Sequence, residues 1–196
     1  YNERLLRLLA ETQIPKVFLD TSSLVSPDEL NGDLLLMESR NSVRNITAHL
    51  LEKGCTLPGF MGDIGYAQSN RERYEGFCQA LMDAGKTPNP SLCLTTPLGI
   101  DSYREEIDSF LSSLSRMPDA FVCASDYVAC ILMQLLEKRG LRVPEDVAVS
   151  GFDNNIEDLL AENLTTVQVF NEELGSRLAL QILYRIKYPH TPHEVT

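Results

Sequence analysis

Long apolar runs are scarce in this sequence. Stretches such as Leu34 to Met37 fall far short of the roughly 20 residues needed to span a bilayer, so no membrane helix is expected. The first residues, Tyr1 to Arg7, are amphipathic and charged, not a basic start followed by an apolar core, so no signal peptide is read there. Basic charge is scarce too. Seventeen Lys and Arg face 28 Asp and Glu, a net charge of −11. So acidic a surface repels phosphates, and the chain alone should not grip nucleic acid; any DNA contact needs a separate basic module.

Cysteine motifs are absent. Cys55, Cys78, Cys93, Cys123 and Cys130 form no CxxC pair, and an odd number cannot all pair. Cys93 and Cys123 sit inside apolar runs, where a thiol behaves as a small hydrophobe. A reducing, cytoplasmic setting is expected. His49, His190 and His193 lack metal-site spacing, so neither metal nor cofactor is expected. The sequence also lacks GxSxG, HExxH, a P-loop and the dinucleotide glycine fingerprint. Ser125 has no histidine at a recognisable spacing, and the many carboxylate pairs read as solvated faces. No catalytic residue is assigned, and an enzyme is not expected.

What is present is a regular alternation. Hydrophobic residues make up 43% and charged residues 23%, which is ordinary for a globular protein. Strands are expected at 17–19, 34–37, 59–61, 92–94, 120–124, 147–150 and 166–169. Several are continuously apolar, as in strands covered on both faces. Between them run amphipathic helices. One carries Val43, Ile46, Leu50 and Leu51 and stops near Gly54; another carries Phe77, Leu81 and Met82 and stops at Gly85. A third, capped by Asp101, carries Ile107, Phe110, Leu111 and Leu114. A fourth, capped by Asp126, carries Ile131, Leu132, Leu135 and Leu136 and ends at Gly140. The last runs from about Glu172 to Lys187. Such alternation predicts an α/β fold of doubly wound parallel sheets, with 21–33 as the candidate crossing loop. Ligands of such folds sit at the carboxyl ends of the strands. That rule points to Asp20, Gly62-Asp63, Thr95-Thr96, Ser125-Asp126, Asp153 and Phe170.

Three stretches go further: Ser69-Asn-Arg-Glu-Arg73-Tyr-Glu-Gly76-Phe77, Pro118-Asp-Ala-Phe-Val-Cys-Ala-Ser125-Asp126-Tyr-Val-Ala129, and Gly140-Leu-Arg-Val-Pro144-Glu-Asp146-Val-Ala-Val-Ser-Gly151-Phe152-Asp153, running on to Leu164-Thr165-Thr166-Val167. In order, spacing and residue type they resemble the effector-binding domain of LacI/GalR-family bacterial transcriptional regulators. Weaker similarity covers the whole chain, including Ile14-Pro15 and Ala48-His49-Leu50-Leu51.

The resemblance implies a periplasmic-binding-protein-like fold of two α/β lobes with a sugar-like effector in the cleft. It implies that 1–37 and 170–196 form an incomplete N-terminal lobe and 38–169 a C-terminal lobe. It also implies a homodimer that reaches operator DNA through an N-terminal helix-turn-helix domain absent from this chain, with no membrane partner.

The resemblance places Arg73 in the cleft; its five-donor fork suits vicinal hydroxyls or a carboxylate. Asp153, after Phe152, would accept hydroxyl hydrogen bonds or cap a helix from Asn155. Asp20 would supply an N-lobe contact. Ser125-Asp126 departs from the family's usual Asn-Asp, which points to a bulkier or differently hydroxylated ligand or a bridging water. Val169 stands where the family carries glutamine. Tyr66, Leu98, Tyr127 and Phe170 are candidate apolar walls, and Arg71 reads as surface. Helices near 127–139 and 155–161 would form the dimer interface, with Cys130, Ile131 and Gln134 as contacts. A solute-binding protein of a sugar transporter is the alternative reading, and a dimerisation module that has lost its effector a third.

Overall fold

The alternation read from the sequence folds into two separate parallel sheets in a computed structural model, which describes residues 3–99, 101–154 and 164–196. In chain order the first elements are α1 (Glu3–Ala10), β1 (Val17–Leu19), β2 (Asp33–Leu35), α2 (Arg40–Glu52), β3 (Pro58–Met61) and α3 (Gln68–Asp83). After them come β4 (Cys93–Leu94), α4 (Tyr103–Ser113), β5 (Ala120–Cys123), α5 (Asp126–Lys138), β6 (Ala148–Ser150) and α6 (Asn171–Lys187). Short 3-10 turns at Pro27–Glu29 and Pro90–Leu92 interrupt the loops.

The larger sheet has the order β4-β3-β5-β6 with every pair parallel. β5 shows why its sequence is apolar without a break. Phe121 and Cys123 enter one core with Ile107, Leu111, Leu132 and Leu136 from α4 and α5. Val122 and Ala124 enter the opposite core with Val43, Phe60, Phe77 and Phe152. A strand covered on both faces has no polar side to display. On the second face α3 lies tight against α2. A Cβ at Gly76 would come within 2.1 Å of the Arg40 carbonyl oxygen, so only glycine permits this approach. That contact sets the height of α3 above the sheet and, with it, the position of Arg73 one turn earlier.

The smaller sheet holds β1 and β2, with Leu34 bridged in parallel to Val195. Its core is slight: Leu6, Val25, Leu30 and Leu34. The chain leaves this sheet through Leu36 to Ser39 and comes back through Leu164 to Phe170. The loop 21–33 is therefore not the crossing point; it joins two strands that pair with each other.

Three other local expectations are corrected. Residues 166–169 form no strand: Thr165 and Gln168 make isolated bridges to Ser150 and Asp153, because this stretch runs beyond the end of β6 and finds partners only singly. Leu92 closes a 3-10 turn before β4. Asp101 does not cap α4; the helix starts at Tyr103, and the Ser102 hydroxyl donates to Glu106 one turn on. The expected helix from Asn155 lies outside the described residues. Among the described residues no helix is long and apolar enough to cross a membrane.

Candidate functional site

The carboxyl ends of β1, β3, β5 and β6 converge near the start of α3. Arg73, in the second turn of α3, is buried there at 4% exposure. Its guanidinium lies 3.6 Å over the ring of Phe152, and Nη1 donates to the Ala124 carbonyl at 2.5 Å. Nη2 stands 3.8 Å from the Asp153 carboxylate, too far for a direct hydrogen bond. Nε is buried and, among the described residues, donates to none. Burial pulls the Arg73 pKa below its ordinary value, while the charges of Asp153, Asp20 and Asp126 pull it back. The group starts so high that it stays a cation. The site thus holds a buried cation with a spare donor.

Asp153 supplies the opposite polarity. Its φ of 113° is one that an L side chain rarely adopts. The strain is held by two backbone bonds: its N–H donates to the Val167 carbonyl at 3.0 Å, and its own carbonyl accepts from the Val169 N–H at 3.1 Å. The side chain keeps 37% exposure. Burial raises its carboxyl pKa, Arg73 opposes this, and Asp126 adds to it.

Asp126, expected to cap α5, does not do so, and Ser125 takes that place. Ser125 is the cap of α5, its Oγ accepting from the Val128 N–H at 3.3 Å. Asp126 is the first residue of the helix, and its carboxylate accepts from the Thr166 hydroxyl at 2.6 Å. Its N–H donates to the Phe152 carbonyl at 2.9 Å. Asp126 therefore fastens the returning crossover to the larger sheet.

Asp20 is buried, with φ 61°, at the end of β1. Its carboxylate accepts from the Thr21 N–H at 2.7 Å, the Ser69 N–H at 3.3 Å and the Ser69 hydroxyl at 2.5 Å. A residue of the smaller sheet thus satisfies a free donor at the start of α3. Beside it the Gln68 N–H donates to the Thr21 carbonyl at 2.8 Å. Arg71, read as surface, is only half-exposed and reaches Ser23 at 3.2 Å. Sequence reasoning missed Ser69, Arg71 and Thr166 in these roles. Nothing in the local sequence signals them, because each depends on how distant segments meet.

A groove of about 330 Å³ opens along the two crossovers. Its walls include Leu36, Met37, Phe152, Val167, Val169 and Phe170. Of the proposed aromatic and apolar walls, Phe170 does line this groove. Leu98 is buried as core, while Tyr127 is exposed and stands edge-on to Tyr103 with ring centroids 5.6 Å apart. Tyr66 is exposed and does not line the groove. Of the candidate dimer contacts on α5, Cys130 and Ile131 are buried within the chain and Gln134 accepts from Arg104, while Tyr127, Glu137 and Lys138 are exposed. The second candidate interface helix, 155–161, lies outside the described residues.

Residues 47–196 match the family described as periplasmic binding protein-like domain. The chain is 30% identical over 192 residues to the HTH-type transcriptional repressor PurR of Aliivibrio salmonicida, covering 96% of this chain and 56% of the relative. It spans about half the length of the curated relatives it matches. Solved structures share its fold. A transcriptional regulator of the LacI family from Sanguibacter keddieii superposes with TM-score 0.79 at 24% identity, over 93% of this chain and 67% of that one. The transcriptional regulator CelR in complex with cellobiose gives TM-score 0.76 at 24% identity, over 98% of this chain and 66% of that one.

Proposed function

Since the chain belongs to the periplasmic binding protein-like domain family, in the form carried by LacI/GalR-type regulators, we propose that it is the effector-binding and dimerisation core of a cytoplasmic transcriptional regulator. It binds a small hydroxylated ligand, a sugar or sugar derivative, at Arg73 and Asp153. The observation that carries this reading is the buried, partly unpartnered Arg73 guanidinium beside a half-exposed carboxylate 3.8 Å away. A hydroxyl placed between them accepts from the guanidinium and donates to Asp153, closing a gap that the two side chains leave open. The cellobiose held by a protein of the same fold supports the ligand class.

The fold offers a way to turn binding into a signal. The Asp20–Ser69 and Thr21–Gln68 bonds tie the smaller sheet to α3, which also carries Arg73. A ligand held at Arg73 and Asp153 of the larger lobe that also bonds Asp20 of the smaller favours one angle between the sheets, because only there are all its contacts made. In a dimer that angle sets the spacing of two helix-turn-helix modules on operator DNA. Lobes of 1–37 with 170–196 and of 38–169 are the bodies proposed to move. The rival reading, a transporter's solute-binding protein, shares the fold, but the relatives' regulator names weigh against it.

The test is a thermal-shift screen of sugars and sugar derivatives, followed by titration calorimetry of any hit. A true ligand raises the melting temperature by mass action. Arg73→Lys and Asp153→Asn are each expected to weaken it at least a hundredfold. A hit that both variants bind as tightly as the parent protein overturns the site.

A further inference from the structure

The charges around Arg73 bear on the chemical class of the ligand. We propose that the effector carries an ammonium group beside its hydroxyls, as an amino sugar does, and that phosphorylated and acidic sugars are excluded from the site. The inference rests on the reading that Arg73 and Asp153 hold the ligand.

Carboxylates outnumber guanidiniums here. Burial works against the Arg73 charge, and the carboxylates of Asp153, Asp20, Asp126 and Glu72 support it. Apart from Arg73, α3 carries one basic residue, Arg71, and its guanidinium is taken up by the Ser23 hydroxyl at 3.2 Å. Residues 155–163, which follow Asp153 in the chain, add Glu157, Asp158 and Glu162 and no Lys or Arg.

Hydrogen bonds occupy some of these carboxylates without cancelling their charge. Asp20 accepts from the Thr21 N–H and the Ser69 hydroxyl, and Asp126 from the Thr166 hydroxyl, all neutral donors. Asp153 is the least compensated. Among the described residues no donor reaches its carboxylate within hydrogen-bond distance, and Arg73 stops at 3.8 Å. Burial raises its carboxyl pKa, and Arg73 does not fully offset this. Its side chain is still 37% exposed, so a ligand can reach it. Arg73, by contrast, is only 4% exposed and already gives Nη1 to the Ala124 carbonyl. Its buried Nε, with no partner among the described residues, is the independent sign that a ligand atom completes this place.

An anion entering the site therefore meets one guanidinium that is already engaged and several carboxylates close to it. Out of bulk water, like charges repel more strongly. An ammonium group gains a charge-assisted hydrogen bond to Asp153 while a ring hydroxyl accepts from Arg73. A neutral hydroxyl can also donate to Asp153, but it leaves the carboxylate charge uncancelled.

Calorimetry tests this at about pH 6, below the titration range of an α-amino group. The probes are glucose and galactose, the corresponding 2-amino sugars, their N-acetyl forms, glucose 6-phosphate and glucuronate. At least one amino sugar is expected to bind tenfold or more tightly than its parent sugar, about 1.4 kcal/mol. N-acetylation, which removes the charge, should abolish the advantage, and added salt should reduce it. Asp126→Asn, which keeps an oxygen for Thr166 and removes a charge, should narrow the ratio. The phosphate and the uronate should bind more weakly than glucose. Equal affinities for amino and parent sugars, or tighter binding of the phosphate or the uronate, overturn the charge selection; if Arg73→Lys still abolishes that binding, the cleft reading stands. Binding that is indifferent to Arg73→Lys, or no binding of any probe, removes the cleft reading and this inference with it.

Discussion

The two sheets are stabilised in different ways. The four-stranded sheet is sealed on both faces by α2, α3, α4 and α5, and its largest side chains, Phe60, Phe77, Phe121 and Phe152, are almost wholly buried. The two-stranded sheet is not. Its helix α6 buries Arg185 and leaves Leu180, Leu183 and Ile186 more than half exposed. Beside its slight apolar core it holds an ion pair: Arg185 grips the Asp33 carboxylate with Nε–Oδ2 3.0 Å and Nη2–Oδ1 2.5 Å, both side chains at 3% exposure or less. The same guanidinium donates to the carbonyls of Thr191 and Pro192, and the Glu194 N–H donates to Asp33. One region is held by area removed from water, the other by directed polar bonds that pin the final residues against β2.

This contrast is sharpest at single positions. Phe121→Ala should cost about 3–5 kcal/mol in chemical denaturation, because the cavity opens in a core that β3 and β5 hold rigid. A cost under about 1 kcal/mol would show that the larger sheet is not the tightly packed region. Arg185→Met should come next, at about 3 kcal/mol, since it strands the buried Asp33 carboxylate. Its effect must also depend on pH. Burial raises the Asp33 pKa, but hydrogen bonds from Arg185, the Glu194 N–H and Gln181 outweigh that and hold it below the ordinary value. A depressed carboxyl contributes stability that is complete above its unfolded pKa of about 3.9 and disappears as pH falls through the folded value. The gap between parent and variant should therefore shrink below about pH 4. A gap that stays constant from pH 7 to pH 3 would mean that the pair is not what holds the smaller sheet.

The same division explains what could be read from the chain. The larger sheet was legible because burial on both faces writes unbroken apolar runs, as in Ala120 to Ala124, and because Gly54, Gly85 and Gly140 end helices where turns are needed. Arg73 and Asp153 were legible through their motifs. Asp20 was marked by its place after β1, but not its partner: Ser69, 49 residues on, meets it only because α3 docks against the end of the smaller sheet. Asp126 was read as the cap that Ser125 provides, because the Thr166 hydroxyl that engages the Asp126 carboxylate comes from 40 residues away. The Asp33–Arg185 pair, separated by 152 positions, leaves no local trace. Periodicity records burial; it does not record which polar groups meet across a fold.

The smallest expected effect is the most direct check on the comparison. Leu183 sits on α6 at 61% exposure, two residues from a buried arginine and on the other side of the helix. If α6 is held through Arg185 and not through its apolar side chains, Leu183→Gln should shift unfolding by no more than about 0.5 kcal/mol, as at an ordinary surface site. Removing apolar surface should at the same time reduce any self-association through this face, which light scattering at rising protein concentration would register. A loss of 2 kcal/mol or more would mean that Leu183 is packed in solution, against another copy or another part of the protein. The two sheets would then differ less in how they are stabilised than in which partner completes the burial.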